Sequence, residues 1–506
     1  MDTNRLMNFI SKLQYKQNIF FLILSLFFFG GTFFLNTHLF LNWLEILRPG
    51  KEGWPEATPV LFRLQNLLRI YSITFLFLSI FLRQIILFFN NLIQYPKIEK
   101  FFDTKKLFIF LICFSLFFRI FLAFTIPPKE AIDEAGHFHY LKSLIFEKKI
   151  PIQQKELDTQ FPLNESYHPP LYYLLAAPLG FLGKFLNFEE GNIIILVRFI
   201  SIILGVSALW IIYRTLRLLL PNDPVSVNIG IILAATLPTF TRIGAGFSNE
   251  NLVYFLSAIL FFLLVQCFID KPKNIKIILI AIFLSLAMLT KYTSFGFFLT
   301  VPLALYLTKN NFRKFFSQIF LIFSIVFLFG IAWFTRNFFI YGDPLALDAG
   351  ANPTIFGISS LGKILYNFIY MFASFWASFP RNNLSPIFTF QPIFILISIF
   401  SAIGLFFFFQ KHRNKNNLQN KKLLFFLIVS ILIQMCMAWW FGIRYLQGQG
   451  RFLFPTLIPI LFFFAVGIRE SLTHWNINPK LAIMVLTLLF LSIDIVSFFE
   501  LGIISY

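Results

Sequence analysis

Apolar runs long enough to cross a bilayer recur along this 506-residue chain, and no other feature restricts its fold as strongly. Crossing about 30 Å of hydrocarbon takes roughly 17 to 25 mostly apolar residues in helical form. About thirteen segments qualify, near 19–36, 70–92, 107–126, 193–213, 225–241, 252–269, 275–290, 294–308, 317–339, 387–409, 423–441, 452–468 and 481–499. With 58% hydrophobic residues, 13% charged residues and a mean hydropathy of +0.76, the chain carries more apolar surface than a soluble core of this length could bury. The pattern predicts an all-α polytopic membrane protein.

The first run, with its "FFFGGTFF", is long and lacks a small-residue cleavage site after it, so it reads as a retained anchor and not as a removed signal peptide. Cys113, Cys267 and Cys436 all lie inside apolar runs and behave as small hydrophobes. The net charge of +19 has no basic extramembrane domain to carry it, which argues against a nucleic-acid partner. Basic residues held on one side of a plasma (inner) membrane account for it. With Arg5, Lys12 and Lys16 cytoplasmic, the same side receives "KIEKFFDTKK", "RTLRLLLPND", "DKPKNIK", "KNNFRKF", "QKHRNKNNLQNKK" and "RESLTHWNINPK". These segments hold roughly 22 basic and 6 acidic residues, against roughly 15 and 16 opposite, which is the positive-inside asymmetry. The alternation closes if "LYYLLAAPLGFLGKFL", 171–186, lies in the outer interface as an amphipathic helix instead of spanning.

Residues 127 to 192 then form one long outer loop, and "IPPKEAIDEAGHFHYLKSL" opens it. Its two adjacent acids, Asp133 and Glu134, sit with His137 and His139 just above the membrane. Loops of that length are uncommon unless functional. The plain alternative is that Asp133 caps an interfacial helix. Other polar groups converge on the same side: His168-Pro169-Pro170 in "ESYHPPLYYLL", Asn249-Glu250 in "GFSNEN", Lys291 in "LTKYTS", Arg336, Asn337 and Asp343 in "WFTRNFFIYGDPL", and Arg444 and Arg451 in "RYLQGQGRFLFP". Convergence of polar groups on one membrane face marks a site more strongly than any one of them alone.

In that order, the "DE..H", "HPPLYY", "RN...YGDP" and "GR(Y/F)LFP" patterns resemble the GT-C superfamily of polyprenyl-linked glycosyltransferases, in particular its bacterial branch of predicted membrane glycosyltransferases. More distantly they are similar to protein O-mannosyltransferases and lipid A aminoarabinose transferases. The resemblance covers roughly 107 to 470. It implies a GT-C core over 106–506, an outer catalytic loop near 127–192, and two extra spans in 1–105 that match no part of the family pattern. It also implies a hexosyl- or pentosyltransferase of the cell envelope that takes a polyprenyl-phosphate-linked sugar and an acceptor (glycan, lipid or protein) among membrane lipids.

Displacing a lipid phosphate at an anomeric carbon calls for a base at the acceptor and cations at the leaving group. By the resemblance, Asp133 falls on the acidic base position and Glu134 would orient the acceptor or bind the sugar. Lys291, Arg336 and Arg451 are candidates for the phosphate, with snorkelling to headgroups as the alternative. The glycines of "QGQG" before Arg451 permit close backbone approach. His137, four residues after Asp133, and His168 read as supporting groups, and Glu250 stands where an aspartate is expected. The residues point to no definite cofactor; a divalent cation on Asp133, His137 and His168 is conceivable but not favoured, since local spacing supplies only two ligands. No phosphate-cradling glycine loop, GxSxG elbow or HExxH is present. Two other readings stand beside the enzyme. One is a transporter or flippase with Arg83, Arg119 and Arg198 along a path, and the other is a catalytically silent relative that binds lipid-linked glycan.

Overall fold

The computed structural model describes residues 104–153, 165–270, 273–308, 311–350, 361–377, 390–412, 418–445 and 448–504, and a few positions of the first two apolar runs. The segments expected near 19–36 and 70–92, and Arg83, otherwise lie outside the described residues. At those positions the Ser25 hydroxyl donates to the Ser72 carbonyl at 2.8 Å.

Among the described residues every regular element is helical. The chain runs through α1 (Thr104–Thr125), α2 (Glu134–Lys142), α3 (Leu171–Phe185), α4 (Glu190–Leu219), α5 (Pro224–Ala235), α6 (Pro238–Ile243), α7 (Glu250–Ile269) and α8 (Asn274–Met288). It continues through α9 (Phe297–Thr308), α10 (Phe312–Tyr341), α11 (Leu361–Trp376), α12 (Gln391–His412), α13 (Leu418–Tyr445), α14 (Leu457–His474) and α15 (Pro479–Ile504). Eight helices among the described residues are long and apolar enough to cross a membrane. The all-α membrane architecture is therefore observed, while the expected number of spans is not.

Proline chemistry explains part of the difference. The segment expected to span at 225–241 is two helices, because Pro238 holds Leu237 in an extended conformation and starts α6 afresh. Residues 275–290 and 294–308 form helices of 15 and 12 residues, too short to span alone. Local caps mark other ends. The Asp223 side chain accepts from Ser226 N at 3.1 Å ahead of Pro224, and Gly342, at φ 72, closes α10 in the left-handed form that suits glycine.

Helix α3 buries one face in the bundle and leaves an apolar face uncovered. Tyr172, Tyr173, Ala176, Ala177, Gly180 and Gly183 are buried on one face, while Leu174, Leu175, Phe181, Leu182 and Phe185 are exposed on the other. Fifteen residues rise only about 22 Å, less than the hydrocarbon thickness. Helix α11 falls in a stretch that hydropathy leaves as outer loop. Helices α4, α5, α7 and α14 pack together at the centre, and the outer segments rest on this bundle.

Candidate functional site

The two adjacent acids diverge. Asp133 adopts φ 57, a left-handed conformation that aspartate tolerates better than most side chains, and α2 begins at the next residue. That single torsion sends Glu134 inward and leaves Asp133 at the edge.

Glu134 is fully buried and meets Arg198, which is also fully buried. Its carboxylate accepts from Arg198 Nε at 2.8 Å and Nη2 at 2.5 Å, from Lys129 N at 3.0 Å and from Phe247 N at 2.8 Å. The remaining Arg198 N–H groups donate to the carbonyls of Ala123, Ile126 and Pro127 at 2.6, 2.7 and 3.0 Å. Two of those belong to the last turn of α1 and its exit, where carbonyls lack helical partners. A guanidinium has five N–H donors, and all five are used here. Glu134 thus ties α1, α4, the 129 turn and the 247 turn together, and it does not line the cavity described below. Arg198 is equally committed and forms no open path. Arg119 is likewise buried, bonded to Ser115 Oγ at 3.1 Å and lying over the Phe240 ring at 4.7 Å.

Asp133 turns the other way. It makes no side-chain cap on α2; its Oδ2 instead accepts from Arg451 Nη2 at 2.6 Å. Arg451 is buried, with Nε 3.3 Å from Glu250 Oε1 and Nη1 without a hydrogen-bond partner. Glu250, the first residue of α7, also takes Lys291 Nζ at 3.0 Å and the Tyr254 hydroxyl at 2.9 Å. The glycines of "QGQG" account for the position of Arg451. A Cβ on Gly448 would come within 2.6 Å of Asn367 Oδ1, and one on Gly450 would collide with the backbone of Met371 and Phe375. Gly450 N also donates to Ser374 Oγ at 2.8 Å. The arginine is therefore seated on α11, and Gln434 Nε2 holds the same turn through the Phe452 and Thr293 carbonyls at 2.7 and 3.0 Å.

A third acid completes the site. Glu165 Oε2 lies 2.8 Å from His168 Nε2 and 3.8 Å from His137 Nδ1, and its side chain rests against Gly136, where a Cβ would come within 2.7 Å of Cγ. His137 is fully buried behind it, 2.8 Å from the Tyr173 hydroxyl on α3. Burial pushes the His137 imidazole down to about 4, against the pull of Glu165 and Asp133. Burial disfavours the Glu165 charge too, but the neighbouring imidazoles and Lys291 hold it below the ordinary carboxylate range. His137 takes a proton more readily in the unfolded chain, so the unfolded state binds more protons between pH 6.5 and 4 and stability falls as pH falls through that window. The loss should amount to about 3 kcal/mol at most. Thermal unfolding of the purified protein from pH 7 to 4 checks this; a slope identical in wild type and His137→Gln would refute it.

Asp133, Glu165, His168, Lys291 and Arg451 all line one cavity of about 430 Å³, with Tyr167, Tyr292, Trp440 and Phe441 among its walls. Glu250 and His137 stand behind it and hold cavity-lining groups. Arg336 is elsewhere: it donates to the Pro151 carbonyl at 3.0 Å and to Asn337 Oδ1 at 3.1 Å, over the Trp333 ring. Phe295 and Leu345 are shared with a second, apolar groove of about 720 Å³ between α8, α9 and α10. A Cβ at Gly330 would press on Met288 and Phe334, which line that groove with it. Among the described residues no group of three or more His, Cys, Asp or Glu is placed to hold a metal ion. Glu165 is the residue that sequence reasoning passed over; its only signal was its place three residues before His168, within reach across a tight turn.

Comparison with known proteins adds one family match. Residues 168–334 match the family model described as dolichyl-phosphate-mannose-protein mannosyltransferase. The match lies inside the segment that resembles the GT-C superfamily and bears that resemblance out. No curated protein matches the chain. Among solved structures, the Archaeoglobus fulgidus oligosaccharyltransferase in complex with Zn and sulfate is similar at 14% identity and TM-score 0.48, over 76% of this chain and 52% of that one. ArnT from Cupriavidus metallidurans bound to undecaprenyl phosphate is similar at 9% identity and TM-score 0.46, over 73% and 62%. The oligosaccharyltransferase AglB from Archaeoglobus fulgidus, in complex with an inhibitory peptide and a dolichol-phosphate, follows at 13% and 0.46, over 74% and 51%. The chain thus spans between about half and three fifths of the length of these structures.

Proposed function

We propose, on the GT-C resemblance that the family match supports, that this chain is an integral membrane glycosyltransferase that moves a hexose or pentose from a polyprenyl-phosphate donor to an acceptor. The reaction takes place on the extracytoplasmic face, the side to which the charge asymmetry assigns the loop that holds Asp133. Asp133 takes the acceptor's proton as the new glycosidic bond forms; Arg451 and Lys291 receive the charge that develops on the departing phosphate. Glu134 and Arg198 act as the foundation of this arrangement, and Glu250 aims the two cations.

The observation that carries the proposal is the adjacency of two unlike cavities. A chamber whose wall carries a buried, incompletely bonded guanidinium lies beside an apolar groove, with Phe295 and Leu345 lining both. A charged head joined to a long hydrocarbon tail is the ligand that satisfies both. The test is binding of a sugar-free polyprenyl phosphate to the purified protein. Arg451→Ala should weaken it roughly 10- to 100-fold, and Arg451→Lys by less, since lysine keeps the charge but loses the two-pronged grip. Equal affinity in wild type and Arg451→Ala would remove Arg451 from the site and the proposal with it.

A further inference from the structure

Asp133 and Arg451, the base and the phosphate ligand of the proposed reaction, are bonded to each other. The contact is short, 2.6 Å, and joins residues 318 positions apart in the chain. Arg451's Nε edge faces Glu250 at 3.3 Å, and Lys291 is held by the same carboxylate at 3.0 Å. Both permanent cations of the cavity therefore already face anions. The third carboxylate, Glu165, has an imidazole for its partner.

A phosphate brought to this guanidinium meets Asp133 at Nη2. Two anions on one guanidinium repel each other, and both two-nitrogen edges with which a guanidinium can grip phosphate include Nη2, the nitrogen that Asp133 holds. Nη1 is unpartnered and 95% of the Arg451 surface is buried, so the guanidinium cannot turn to solvent to serve both. Asp133 can move. Its side chain is 37% exposed, it makes no cap bond on α2, and it sits at a left-handed junction and not within a helix.

We infer that Asp133 is a resident anion of the phosphate seat, and that the donor's phosphate displaces it from Arg451 and so releases the base. This rests on the reading above and adds a rule to it: the donor enters first, and the carboxylate is free to take the acceptor's proton only while a phosphate occupies its place. No bond is made or broken in the exchange. One anion leaves the guanidinium as another arrives, and without donor the base stays occupied.

The consequence separates this from a plain base. Repulsion through space is relieved by neutralising Asp133 whether or not Arg451 is present, whereas an anion that competes for Arg451 weakens binding only through that arginine. Asp133→Asn should bind a sugar-free polyprenyl phosphate roughly tenfold more tightly than wild type, the scale of one like-charge contact relieved. In an Arg451→Gln background the same substitution should leave affinity unchanged, because nothing remains to compete for. Asp133→Gly, which the left-handed backbone accommodates without strain, gives the same comparison should the asparagine variant fold poorly. Unchanged or weaker binding in both Asp133 variants overturns the exchange. So does a tenfold gain that persists without Arg451. The base assignment is judged separately, by transfer: Asp133→Asn with lost transfer and unchanged affinity would leave the base standing and the exchange refuted.

Discussion

Asp133→Asn is expected to lower sugar transfer by roughly 10²- to 10⁴-fold while the protein stays folded, the range usual for loss of a general base. Asparagine preserves the size of the side chain, tolerates the left-handed conformation, and still offers Arg451 an amide oxygen. It cannot take up a proton as a carboxylate does. Arg451 keeps Glu250 beside its Nε when Asp133 is neutralised, so the buried guanidinium retains a counter-ion and thermal stability should change little. If Asp133 were merely a helix cap, asparagine would replace it without consequence. Transfer near the wild-type rate by a purified Asp133→Asn variant would reject the base assignment.

The next residue should respond in the opposite way. Glu134→Gln is expected to destabilise the fold by about 3–5 kcal/mol, because it leaves Arg198 as a buried charge without its counter-ion. The carbonyls of Ala123, Ile126 and Pro127 remain, but none of them carries charge. Expression and detergent-phase melting temperature should both drop, and Arg198→Met should do the same. Replacing both partners with apolar residues of similar volume should recover much of the loss, as buried pairs commonly allow. A Glu134→Gln protein that melts with wild type but has lost transfer would instead make Glu134 a substrate-contacting group.

This contrast marks the limit of what the sequence conveys. Hydropathy located the long spans, and the segment 171–186 forms a 15-residue helix, too short to span alone. Of the polar residues that converge in the sequence, Asp133, His168, Lys291 and Arg451 share one cavity. Nothing in "DEAGHFHY", however, says that the chain turns left-handed at its first residue and parts the two acids. Helix α11 is hidden from hydropathy because it is too short to span, and its apolar positions (Ile364, Leu365, Phe368, Phe372, Phe375) alternate with Asn367 and Ser374 at helical spacing. "QGQG" was legible as a close approach, but its partner was that unrecognised helix. Arg336 reads as a phosphate ligand on a family pattern, while its guanidinium holds the Pro151 carbonyl; a basic residue at a span end looks the same in sequence either way.

On the proposed function, the apolar groove that shares Phe295 and Leu345 with the charged cavity also fixes the units in which the enzyme works. A donor whose tail lies in that groove never leaves the hydrocarbon. It arrives sideways, by diffusion in the plane of the membrane, and only its head rises to the chemistry. What the protein senses is then the fraction of lipids that carry the sugar, not their number per litre. Added detergent or bilayer would slow the reaction by dilution in two dimensions, with every molecule of substrate still in the tube.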